Sequence, residues 1–164
     1  MITITGFMGS GKTTVGKVLA DFLGCPFMDL DELVVKKAGK SIPEIFAQDG
    51  EPAFRALEAR LLRQTVEKYA ESTAVLALGG GAILAPASAA LLRDKTVCIY
   101  LRATLDTLFS RLAGETAGRP LADSALAARL ASREPLYEET AHVAIDTDGL
   151  SPDEVADEII ISAL

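Results

Sequence analysis

The sequence predicts an α/β protein built on one parallel sheet with helices on both faces, and three observations point there. Short, near-continuous apolar runs alternate with longer stretches of helical period, the pattern of strands buried on both sides and joined by crossover helices. A glycine-rich segment, Gly6 to Gly11, stands between the first such run and the first helical stretch. The 164 residues, 49% hydrophobic and 24% charged, suffice for one core but not for two substantial ones. The same composition excludes a disordered chain, a collagen-like repeat and a small disulfide-stapled scaffold.

In chain order, a strand is expected from Met1 to Thr5, followed by a helix from Lys12 to Leu23 and a second strand from Pro26 to Asp29. Ser41-Ile42-Pro43-Glu44 then writes a helix start, with a hydroxyl at the cap, an early proline and a glutamate three residues after the cap. A helix from Pro52 to Tyr69 leads to a strand from Ala74 to Leu78, a helix from Pro86 to Arg93 and a strand from Thr96 to Leu101. Helices from Ala103 to Ala113 and from Ala122 to Glu138 precede the last strand, Ala141 to Ile145. Ser151-Pro152-Asp153-Glu154 repeats the capping signature and opens a final helix. No repeat, low-complexity tract or linker divides the chain, so a single domain over residues 1–164 is expected. The least core-like stretch, Gly114 to Pro120, reads as a surface loop.

Sixteen basic against twenty-three acidic residues give a net charge of −7, which argues against a nucleic-acid partner held by bulk charge. Any anion site must then be built locally. Cys25 and Cys98 are far apart in apolar settings and read as reduced core residues; His142 is the only histidine, so neither a zinc site nor a serine–histidine relay is expected. No basic flank with an apolar run opens the sequence and no stretch approaches membrane-spanning length. The expectation is a cytoplasmic protein without a membrane partner.

Gly6-Phe7-Met8-Gly9-Ser10-Gly11-Lys12-Thr13 satisfies G-x-x-x-x-G-K-[ST] directly after a strand and at the start of a helix. Glycines let the backbone wrap so that successive N–H groups point inward, and the positive end of the following helix adds to the same focus on a polyphosphate. Gly9, Ser10, Gly11, Lys12, Thr13 and Thr14 are therefore expected to bind ATP, with Lys12 reaching the β- and γ-phosphates and the Thr13 hydroxyl a ligand of Mg²⁺. Kinases, hydrolases and switches share this loop, so it does not name the phosphate's destination.

Asp29 and Asp31 close the second strand, where alternation would put both on one side. Either one holds the metal's shell and the other meets an acceptor hydroxyl, or both are an acidic helix start favoured by the dipole. Gly79-Gly80-Gly81 follows an apolar strand and lets backbone come close to a bound molecule; the strand-terminal aspartate of many phosphate-loop proteins is replaced there by Gly79, which shifts metal duty toward Asp29. Arg55, Arg119 and Arg133 can each grip a carboxylate or phosphate in bidentate fashion, whereas Arg60 and Arg129 are expected to be solvated or paired on helix faces. Arg119, within the glycine-flanked loop, suits a lid that closes on the transferring phosphate.

Taken in order, the Gly6-to-Thr13 loop, Asp29-x-Asp31, Phe54-Arg55-x-x-Glu58, the Gly79-to-Gly81 run, Arg119-Pro120-Leu121 and Arg133-x-x-x-Tyr137 resemble shikimate kinase over nearly the whole chain. The resemblance implies a three-layer α/β/α P-loop kinase fold of the nucleoside monophosphate kinase group. Its sheet would have five parallel strands in the order 2-3-1-4-5, with a helical substrate-binding region at about 31–60 and a lid at about 112–123. It implies ATP-dependent phosphorylation of the 3-hydroxyl of shikimate, in aromatic amino acid biosynthesis, by a monomer. Carried over position by position, it gives Thr13 and Asp29 to Mg²⁺ and Lys12 to the phosphates, and Asp31, Arg55, Gly79, Gly80, Gly81 and Arg133 to shikimate. Arg119 would close on ATP and Arg111 would serve the adenine side, near residues Asp148 to Pro152. Lys12, Asp31 and Arg119 would carry catalysis. The lid departs from the family in reading Arg-Pro-Leu-Ala, where a second leucine is common. The rivals are a gluconate or nucleotide kinase on the same scaffold and, from another class, a nucleotide-dependent switch.

Overall fold

The computed structural model describes residues 1–113 and 122–164. Its five strands, β1 (Ile2–Thr5), β2 (Phe27–Asp29), β3 (Val75–Ala77), β4 (Val97–Arg102) and β5 (Val143–Asp146), form one parallel sheet in the order β2-β3-β1-β4-β5. Around it stand α1 (Lys12–Leu23), α2 (Leu30–Ala38), α3 (Ile42–Gln48), α4 (Glu51–Lys68), α5 (Pro86–Lys95), α6 (Leu105–Ala113), α7 (Ala122–Thr140) and α8 (Pro152–Ala163). The expected topology is the observed one.

β1 is central: Ile2 lies opposite Val75 of β3 on one side and Val97 of β4 on the other, and all four of its residues are buried. Strand alternation sorts the apolar residues into two layers. Ile2, Ile4, Val75, Ile99 and Leu101 face one way and pack with Val15 and Leu19 of α1 and Val155 and Ile159 of α8. Leu76, Cys98 and Tyr100 face the other way, against Leu62 of α4, Leu92 of α5 and Tyr137 of α7. A third, small cluster of Val34, Ile45 and Phe54 locks α2, α3 and α4 together away from the sheet. Thus the region expected to hold the acceptor has its own apolar centre. The connection after β1 leads to one edge of the sheet and that after β3 toward the other, which opens a crevice at the carboxyl ends of these two neighbours.

Both capping boxes form: the Ser41 and Ser151 hydroxyls accept from the N–H groups of Glu44 and Glu154, whose carboxylates accept in return from the serine N–H groups. α2 was not among the elements set out from the sequence, because only Leu30 and Val34 of its nine residues are buried and the apolar period is faint. The helix expected from Ala103 begins at Leu105 instead, since the N–H and hydroxyl of Thr104 are taken by Asp148, just past the neighbouring strand β5. No helix among the described residues is long and apolar enough to cross a membrane.

Both cysteines are free thiols. Cys98 is fully enclosed in β4 and burial pushes its thiol up to about 11. Cys25, at the surface-facing end of α1, is half-buried. His142 serves the fold: its Nδ1 accepts the Cys98 N–H at 3.0 Å while its backbone N–H donates to the Cys98 carbonyl. In the native protein an aromatic disulfide reagent should therefore titrate one thiol, Cys25, with Cys98 appearing only on unfolding. Two promptly reacting thiols would show that β4 opens readily.

Candidate active site

The loop joining β1 to α1 owes its path to glycine. A Cβ at Gly6 would stand 2.7 Å from both the Leu101 carbonyl oxygen and Ser10 Oγ, and Gly11, the residue before α1, holds a left-handed φ of 92°. No side chain among the described residues caps α1, which leaves its first N–H groups pointing out of the helix end toward the loop. Lys12 lies across the loop and donates to the carbonyls of Gly6 at 2.9 Å and Phe7 at 2.8 Å. Burial pulls its ammonium down to about 8, against the opposing attraction of Asp31 and Asp29. Ser10 Oγ is buried with no hydrogen-bond partner among the described residues.

Asp29 Oδ2 accepts the Thr13 hydroxyl at 2.8 Å, while Oδ1 accepts the N–H of Asp31 at 2.9 Å and of Glu32 at 3.4 Å. Strand alternation is not what brings the two aspartates together. Asp29 ends β2 and caps α2, and Asp31 lies in the first helical turn. The acidic helix start is thus present, and it lies against the phosphate loop, because one oxygen of Asp29 caps α2 while the other accepts the Thr13 hydroxyl. Burial, then the neighbouring Asp29, raises Asp31 above the ordinary carboxylate range, with Lys12 and Arg55 pulling the other way.

Asp31, Lys12 and Thr13 open into a cavity of about 640 Å³ that continues past Arg55, Arg133 and Gly79 to Gly81. The glycine turn is squeezed from two sides. A Cβ on Gly79 would lie 2.8 Å from Asp31 Oδ1 and 2.9 Å from Glu58 Oε2, and one on Gly81 would lie 2.6 Å from Arg55 Nη1. Arg55 donates to Glu58 Oε1 at 2.8 Å, also reaching Glu51 at 3.5 Å, and Arg133 donates to the Gly80 carbonyl at 3.3 Å. Glu58 is buried, which raises its carboxyl despite Arg55. Its role was not assigned from the sequence, although its place three residues after Arg55 on one helix face was the available signal.

Arg129 is exposed, as expected, and also lines the edge of this cavity one turn before Arg133. Arg60 is exposed and lies elsewhere, as expected. Met8 and Phe46, exposed apolar side chains, border the same cavity, and Phe46 tilts against Phe54 at 4.9 Å between ring centroids.

On the other side of the loop a smaller cavity of about 220 Å³ is lined by Ser10, Gly11, Thr14, Arg111, Thr147 and Pro152, among others. Arg111 is held there: Nη1 donates to the Gly9 and Ser10 carbonyls at 3.4 Å and to Thr147 Oγ1 at 3.1 Å, and Nη2 to the Thr147 carbonyl at 3.0 Å. Arg111 thus faces the phosphate loop rather than solvent. Asp148, the next residue, fastens Thr104 at the start of α6, the helix that carries Arg111. Arg119, with most of the expected lid, lies outside the described residues.

The arrangement is thus a phosphate loop between two cavities, one with apolar walls and a clamped arginine, the other with carboxylates facing guanidinium groups. Comparisons with known proteins agree with it. The family model described as shikimate kinase matches residues 8–163. A shikimate kinase of Enterococcus faecalis is 41% identical over 97% of this chain and 95% of that protein. The structure of shikimate kinase from Acinetobacter baumannii in complex with shikimate superposes with a TM-score of 0.87 at 35% identity, covering 97% of this chain and 89% of that one. A gluconokinase of Sinorhizobium meliloti, at 20% identity, 98% and 89% coverage and a TM-score of 0.57, shares the fold alone. With a match that runs nearly end to end in sequence and in structure, the chain belongs to the shikimate kinase family.

Proposed function

We propose that this protein transfers the γ-phosphate of ATP to the 3-hydroxyl of shikimate, giving shikimate 3-phosphate and ADP. The observation that carries the reading is the composition of the larger cavity. Lys12 of the phosphate loop, the carboxylate of Asp31 and the guanidinium groups of Arg55 and Arg133 share one space with a bare glycine turn. That set fits a compact polyol bearing a carboxylate: the arginines suit the carboxylate, Asp31 a hydroxyl, and Gly79, Gly80 and Gly81 the close approach of a ring. Gluconate is also a hydroxy acid, but the gluconokinase likeness reaches only the fold.

In this reading the loop from Gly9 to Thr14 cradles the polyphosphate while Arg111 and Pro152 border the base. Thr13 Oγ1 and Asp29 Oδ2, 2.8 Å apart, are hard oxygen donors beside the phosphate loop. No group of three or more acidic, histidine or cysteine side chains is placed to hold a metal ion among the described residues. Such a sparse pair fits Mg²⁺, which keeps several waters and takes phosphate oxygens. When bound, Mg²⁺ neutralises charge on the β- and γ-phosphates.

The bond from the γ-phosphorus to the bridging oxygen breaks as that from the acceptor hydroxyl forms, and the hydroxyl proton passes to Asp31. The transition state is loose, so Asp31 positions the hydroxyl first and takes the proton late. Its raised carboxyl is suited to that. Lys12 and, by its motif, Arg119 stabilise charge on the transferring group. We place the activity in the cytoplasm, in a single domain working as a monomer.

A coupled ADP-release assay with Mg-ATP, comparing shikimate, quinate, gluconate, AMP and no acceptor, should give strong turnover with shikimate alone. Turnover with another acceptor would overturn the roles given to Asp31, Arg55 and Arg133. Asp31→Asn should keep ATP affinity and lose turnover by about 10²-fold or more; wild-type kcat would remove Asp31 from the mechanism. Arg119→Ala should lower kcat by roughly 10³-fold with the acceptor KM little changed, as expected when a charge that stabilises only the transferring phosphate is lost.

A further inference from the structure

Tyr137 sits on α7 one turn after Arg133, so that both side chains leave the same helix face. Its ring is fully buried and stacked on Tyr100, with centroids 5.0 Å apart at an interplanar angle of 25°. A ring seated in this way needs no hydroxyl for packing. Yet the hydroxyl reaches out of the core and donates to the Gly80 carbonyl at 2.5 Å, the same oxygen that receives Arg133 Nη1 at 3.3 Å. Two donors from one helix therefore meet on one backbone acceptor inside the acceptor cavity.

The two bonds are unequal, and the inequality has a consequence. The short bond satisfies the carbonyl, while the long one leaves the Arg133 guanidinium only loosely held and ready to move onto a carboxylate. Without the hydroxyl, the part-buried Gly80 oxygen would have Arg133 as its only side-chain donor among the described residues. A carbonyl short of partners competes for that guanidinium, because leaving a buried acceptor unsatisfied is expensive.

We infer that Tyr137 is a positioning residue for the acceptor: its hydroxyl occupies the Gly80 carbonyl and so releases Arg133 to bind the acceptor's carboxylate. The inference rests on the shikimate kinase reading and assigns to the tyrosine a part of acceptor affinity, with no part in nucleotide binding. Burial raises the phenol above its ordinary range, with Arg133 and Arg55 opposing, so the hydroxyl stays protonated and able to donate at neutral pH.

The test is Tyr137→Phe, which keeps the stacked ring, assayed beside wild type in both genetic backgrounds of Arg133, native and Arg133→Ala. In the native background the KM for shikimate should rise about tenfold, the usual worth of one hydrogen bond in a charged setting, with the KM for Mg-ATP and the melting temperature nearly unchanged. In the Arg133→Ala background the same substitution should change the shikimate KM less than twofold, because the residue it acts through is gone. Equal effects in the two backgrounds, or a shift in both substrates' KM values together, would overturn the inference and leave Tyr137 a core residue. An unchanged shikimate KM in the native background would also overturn it. Wild-type turnover on shikimate separates the two levels: if it is absent, the proposed function fails and the inference falls with it.

Discussion

One hydrogen bond, from the Thr13 hydroxyl to Asp29, joins the parts of this site that the chain makes separately. Thr13 begins the helix after the central strand, and Asp29 ends β2, with β3 lying between their strands. The other oxygen of the same carboxylate accepts the N–H groups of Asp31 and Glu32 and starts α2. A single side chain therefore fixes the phosphate loop to the start of α2 and aims the next carboxylate. Exchange of Asp29 for an amide would keep a cap but lose the charge that suits both a metal and a helix start.

Around that joint the protein concentrates charges that its composition does not favour. A chain of net charge −7 holds Lys12, Arg55 and Arg133 at one cavity, each against acidic or carbonyl oxygens. The arrangement is not arranged for stability. Glu58 is buried with Oε2 unpartnered among the described residues, and an unmet buried acceptor of this kind costs about 1–3 kcal/mol. What it secures is orientation, because Glu58 holds the Arg55 guanidinium against the glycine turn. Preorganised charge of this sort stabilises a phosphoryl transfer without rearrangement at the moment of reaction.

The fold makes room for the charges by keeping its apolar layers elsewhere. The two faces of the sheet are filled by α1 and α8 on one side and α4, α5 and α7 on the other, and the satellite cluster of Val34, Ile45 and Phe54 seats α2, α3 and α4. The carboxyl ends of β1 and β3 are left to glycine and polar groups. α7 belongs to both worlds: Tyr137 is core along its ring and site at its hydroxyl.

The sequence by itself determined the class of fold, the phosphate loop and most of the residues that meet in the cavity, because these are written locally. Glycines at fixed spacing, capping serines and apolar runs act over a few residues, and the ordered motifs from Gly6 to Tyr137 carried the family. Tertiary structure alone decided that Asp29 and Asp31 meet through a helix cap rather than strand alternation, and that Arg129 lines the larger cavity while Arg60 does not. It also decided that Arg111 is clamped by Thr147, 36 residues further along the chain, that Glu58 pairs with Arg55, and that Tyr137 and Arg133 meet on the Gly80 carbonyl. The reason is physical. A helix's periodicity shows which residues share a face, but what that face meets depends on contacts between residues distant in sequence, which no local pattern encodes.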